Sequence, residues 1–127
     1  MAGLRMYEEQ LRLATPHTFN ALTKLVMAMA DVAKNVGKKT LFGRDKGQEL
    51  YAKMLQALKV TVQSMVLDGV IRESTSTEGV ARELEKKLEE FAMAFPNWQD
   101  AYGFAAMFFG EKRKDAIATI DRLRSRP

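Results

Sequence analysis

Phe19, Leu22, Val26, Met29, Ala33 and Val36 recur at alternating intervals of three and four residues. That rhythm matches the turn of an α-helix, so the six side chains share one stripe, and Leu25 and Val32 widen it. A strand would instead need alternation at every second residue, and only the short run from Lys39 to Phe42 is a candidate for that. Tyr51, Met54, Leu55, Leu58, Val62 and Met65 likewise fall on one face of a helix from about Gly47 to Asp68, roughly 33 Å long at 1.5 Å per residue. Helices with a single apolar stripe must bury it against other helices. With 127 residues to fill one core, the predicted class is all-α, a compact single-domain bundle of five to six helices over residues 1–127.

Punctuation in the sequence supplies the remaining elements. Tyr7, Leu11 and Ala14 mark a short first helix, Leu4 to Ala14, which stops before Pro16 because proline disfavours helical backbone at Thr15. Thr15 is then placed to cap the second helix and Gly37 to close it. The polar run Ser74-Thr75-Ser76-Thr77 precedes a helix carrying Ala81, Leu84, Leu88, Phe91, Ala92 and Phe95 inward, with Ser76 or Thr77 as its cap and Pro96 at its end. Asn97, three residues before Asp100, is the expected cap of a fifth helix through Phe109. Gly110 separates that helix from a last, basic one bearing Ile117, Ile120 and Leu123. Val80-Ala81-Arg82-Glu83-Leu84 resembles the opening helix of a helix-turn-helix, but Glu85 to Glu90 continue the same helix without a turn, which favours a solvated face with Glu83–Lys87 and Lys86–Glu90 pairs.

Catalytic chemistry finds little to work with. The chain has no cysteine and one histidine, which excludes disulfides, thiolate metal sites, cysteine nucleophiles and multi-histidine sites. His17 has no accompanying Glu-x-x-His, and we read it as a capping or surface residue. No nucleophile elbow or dinucleotide glycine fingerprint is present. We expect no enzyme, no metal and no cofactor. Residues 1–14 are broken by Arg5, Glu8, Glu9 and Arg12, and the longest apolar runs are too short for a membrane span. The expected setting is the cytoplasm, without membrane partners.

Surface features point to binding instead. The net charge is +4, gathered at two places. Lys34 to Lys46 holds five basic residues and one acid, and Lys112 to Arg126 holds six basic residues and two acids. Between Gly37 and Gly47, glycines with Lys38, Lys39, Arg44 and Lys46 could approach an anion at the start of the next helix, yet the order of residues is not that of a phosphate-binding loop. Arg122 and Arg124 add cations near the C-terminus. Helical projection puts Met27 opposite the core stripe of its helix. It also sets Val60 and Leu67, seven residues apart, among Glu49, Lys53, Gln56, Gln63 and Ser64 on the polar side of theirs. The fifth helix is apolar around most of its circumference, with Trp98, Phe104 and Phe108 as candidate contacts, so it is either central or at an interface. These features predict a non-enzymatic, self-associating interaction protein that binds another macromolecule through apolar and basic surface. The alternative is a nucleic-acid-binding or ribonucleoprotein subunit using the same cations.

Overall fold

The computed structural model describes residues 8–10, 12–35 and 46–125. Residues 8–10 and 12–14 are helical and lead into five helices: α1 (Pro16–Lys34), α2 (Lys46–Leu67), α3 (Thr77–Ala94), α4 (Gln99–Phe109) and α5 (Arg113–Ser125). No strand occurs among the described residues. The architecture is the all-α bundle that the apolar spacing demands. The possible strand at 39–42, the glycine cap at 37 and the basic residues Lys38, Lys39 and Arg44 lie outside the described residues.

The α1 stripe is the centre of the core. Leu22, Leu25, Val26 and Met29 are buried against Met54, Leu58, Val62 and Met65 of α2 and the inner face of α4. Val80, Leu84, Leu88 and Phe91 of α3 and Ala116 and Ile120 of α5 complete it. Ala101 and Ala105 let the α4 backbone approach its neighbours closely, while Phe108 and Phe109 fill the space beyond them. Phe108 is only 4% exposed, which corrects its assignment to an outer contact surface. A helix apolar on nearly every side gives no clue to which side faces in, and here Phe108 turned inward. Phe19, Phe91 and Phe95 form a second aromatic cluster, with ring centroids 4.7 to 5.9 Å apart, that holds α1 to α3.

The helix ends show how local chemistry sets the connections. Gly69, at φ +74°, lets α2 finish in a left-handed turn. Its N–H bonds the Val66 carbonyl at 3.1 Å and that of Val70 bonds the Met65 carbonyl at 2.9 Å, the paired pattern of a Schellman cap. Asp68 is thereby fixed at the α2 C-terminus. There it should be repelled by the helix dipole, but its carboxylate accepts the Thr18 backbone N–H at 2.6 Å and serves as the cap of α1. Thr15, the expected cap, makes no side-chain capping bond. At its other end α1 stops at Asn35, whose side-chain amide bonds the Asp31 carbonyl at 2.9 Å.

Ser76 accepts the Gly79 N–H at 3.1 Å and caps α3 as expected. Thr77 turns away to donate to Asp121 of α5 at 2.9 Å. On α3 Lys87 pairs with Glu90 at 3.2 Å rather than with Glu83, and the i,i+4 pair on this helix is Glu78–Arg82 at 4.0 Å. Asn97 does not cap α4. The N-cap position is Trp98, whose carbonyl accepts the Tyr102 N–H at 3.1 Å, one residue later than the sequence suggested. The Tyr102 hydroxyl donates to the Phe95 carbonyl where α3 ends, and burial pushes its pKa up to about 12. Gly110 permits the tight turn into α5, since a Cβ there would stand 2.5 Å from the Ala106 carbonyl oxygen. Arg113 then binds Glu85 and donates to the Phe109 carbonyl at 2.9 Å, fastening the start of α5 to both preceding helices.

Candidate functional site

Helix α2 has two apolar lines. Met54, Leu58 and Met65 are wholly buried, whereas Leu67 is 71% and Val60 40% exposed. Ser64, predicted to join the outer face, is buried and donates to the Val60 carbonyl at 2.8 Å, so the exposed line is narrower than projection implied. Returning beside α2, the C-terminal part of α5 leaves an open groove of about 510 Å³ along this edge. Lys59, Val62, Gln63, Val66 and Leu67 line it from α2, Leu123 and Arg124 from α5, and Glu73 from the connection after α2. Val62 is nearly buried at its floor, while Leu67 forms an outer lip.

The polar groups at this groove are ordered by the fold. Arg124 donates to Thr77 Oγ1 at 3.2 Å and to the Glu73 carbonyl at 2.9 Å, and Thr77 in turn donates to Asp121. The guanidinium is therefore held against the groove wall at little further entropic cost. Among the described residues Arg124 and Lys59 bring positive charge to the lining and Glu73 negative charge, with the Asp121 carboxylate bonded to Thr77 beside Arg124. The arrangement can accept an apolar side chain and a neighbouring anion together.

The other predicted site residues do not gather into one surface. Met27 is 49% exposed and lines a shallow depression of about 190 Å³ with Lys24, Ala28, Asp31, Leu50 and Lys53. Lys46 is exposed at the first residue of α2. Arg122 is exposed on α5 and donates to Thr119 Oγ1 at 3.3 Å. Trp98 and Phe104 are half-buried against the core. Of the predicted contacts, Leu67 and Arg124 are the two that meet at one groove. Sequence reading missed Val66, Leu123 and Glu73 as lining residues, because only the placement of α5 brings them to α2.

His17 is a surface residue, 61% exposed at its side chain, with Nδ1 2.8 Å from Asp68 Oδ1. Asp68 itself is 3% exposed. Burial works to raise its pKa, but the Thr18 backbone N–H and the His17 ring outweigh this and hold the carboxyl below its ordinary value. The Thr18 hydroxyl is buried close by and adds to the lowering, although it makes no hydrogen bond of good geometry, so the backbone N–H carries the cap. This constellation joins two helix ends. Among the described residues no three His, Asp or Glu side chains come together as a metal site, and no helix is long and apolar enough to cross a membrane. Comparison of the chain with known protein families, with curated proteins and with solved structures finds no match.

Proposed function

We propose that this protein is a non-enzymatic interaction module of the cytoplasm that binds another protein through the groove between α2 and α5. The observation that carries the reading is Leu67, 71% exposed on the lip of a groove floored by Val62 and Val66. Fully covering a leucine is worth about 1.5–3 kcal/mol, so a partner that buried this lip would gain a large share of a moderate affinity from one residue. Arg124 and Lys59 beside it would add charge steering. The absence of cysteine suits a reducing compartment. Self-association is the second form of the reading, because Val60 and Leu67 make an exposed apolar line on one helix.

The immobilised chain and its Leu67→Glu variant, challenged with nuclease-treated and untreated lysate, test the proposal. A protein held by the first and lost from the second, whatever the nuclease treatment, is the expected outcome. Loss on nuclease treatment would transfer the reading to nucleic acid. Sedimentation of the two purified chains reads self-association directly. A monomer at high concentration that also captures no protein would remove the proposal.

A further inference from the structure

We infer that His17 is a phosphoryl-accepting side chain, taking the group at Nε2 from an N–P phosphoryl donor on another molecule. Neither His17 nor Asp68 is among the lining residues of the α2–α5 groove. His17 is the one histidine of the chain, and its side chain is 61% exposed. Nδ1 lies 2.8 Å from Oδ1 of the buried Asp68, whose Oδ2 accepts the Thr18 N–H at 2.6 Å. Burial opposes ionisation of Asp68, but the hydrogen bonds it accepts outweigh this and lower its pKa. An ionised carboxylate can only accept, so the proton of the shared bond sits on Nδ1. The lone pair of the neutral ring is then on Nε2. That nitrogen, on the opposite edge of a mostly exposed ring, makes no hydrogen bond among the described residues.

The backbone on either side is anchored. Pro16 opens α1 and the wholly buried Thr18 follows, so the ring is presented from a rigid first turn. In the transfer the Nε2 lone pair attacks phosphorus and forms the new N–P bond. The donor's own N–P bond breaks, and its protonated nitrogen leaves with that electron pair, as ammonia when the donor is phosphoramidate. The Nδ1 proton stays in place, and the ring gains a positive charge that the Asp68 carboxylate meets at 2.8 Å. A protruding ring suits transfer by contact between two surfaces, whereas turnover of a free substrate needs a pocket to hold it. A phosphoryl group is small and anionic, and the first turn of α1 favours negative charge there over a neutral acyl group.

The test treats the chain with potassium phosphoramidate at neutral pH, reading the ring by imidazole nitrogen NMR and the product by mass spectrometry. Before treatment, the nitrogen resonances should place the proton on Nδ1. Treated chain should then carry phosphate on Nε2 and none on Nδ1, whereas chain unfolded in urea should give both isomers. Asp68→Asn keeps an oxygen for the Thr18 N–H and turns its amide NH₂ toward His17, which reverses the tautomer. That variant should show the proton on Nε2 and be phosphorylated there at least about tenfold more slowly, the size of a charged hydrogen bond. His17→Gln should take up no phosphoryl group. A proton on Nε2 in the folded wild-type ring, a product on its Nδ1, or a folded chain that takes up no phosphoryl group would overturn the inference. So would equal rates for wild type and Asp68→Asn.

Discussion

The two faces of α2 carry similar side chains to opposite ends. Leu58 and Leu67 are both leucines on one helix, one wholly buried and the other 71% exposed. The inner face is committed to α1, since the wholly buried Met54, Leu58 and Met65 meet its stripe, whereas Val62 lies at the edge between this face and the groove. The outer face is bounded by the groove beside α5 and carries Val60 and Leu67 toward solvent. Hydrophobicity alone does not separate core from contact surface; position relative to the neighbouring helix does.

Breaking the inner face should have the largest effect. Leu58→Ala removes a fully buried side chain from the α1–α2 seam and should cost about 2–5 kcal/mol, read as a lowered denaturation midpoint in urea. Next comes the joint between the two helices. Asp68→Ala deprives the Thr18 N–H of its acceptor and should cost about 1–2 kcal/mol, the value of a helix N-cap. The same carboxylate sets a pH dependence. Because its pKa is lower folded than unfolded, its stabilisation is fully present above the ordinary value of 3.8 and is lost as pH falls below that and through the folded value. Urea titrations at neutral and strongly acid pH should therefore show a smaller acid loss in Asp68→Asn than in wild type.

Smallest is the effect on stability of changing the outer face. Leu67→Glu should shift the unfolding free energy by no more than about 0.5 kcal/mol, as surface substitutions generally do, even though it is expected to end binding. A contrast of this kind between Leu58 and Leu67 sharpens the comparison, because one helix would hold stability on one side and recognition on the other.

Much of this was legible in the sequence, and several of the parts that were not involve segments far apart in the chain. The apolar rhythm of α1 and α2 gave their inner faces, and the outward placement of Met27, Val60 and Leu67 follows from angular position alone. Ser76 was readable as a cap because its partner Gly79 is three residues away. Asp68 was not, because it caps a helix that begins some fifty residues earlier in the chain. Phe108 was misplaced because α4 has no polar face by which to orient it. The groove was invisible for a related reason: Val66 and Leu123 looked like ordinary packing residues, and only tertiary placement leaves space between them. Local chemistry was read in part, since Ser76 caps α3 but Asn97 does not cap α4 and Lys87 pairs with Glu90 rather than Glu83, and features made by distant segments were missed.

The central claim is that the α2–α5 groove receives a partner protein while the wholly buried face of α2 remains structural. Methyl resonances of Val62, Val66, Leu67 and Leu123, followed as a protein captured by the chain is added to it, test it most directly. The account predicts saturable shifts in those four residues, with the Leu58 methyls and the depression around Met27 unmoved. Shifts that instead gather around Met27, or that spread through Leu58 and the α1 stripe, would contradict it.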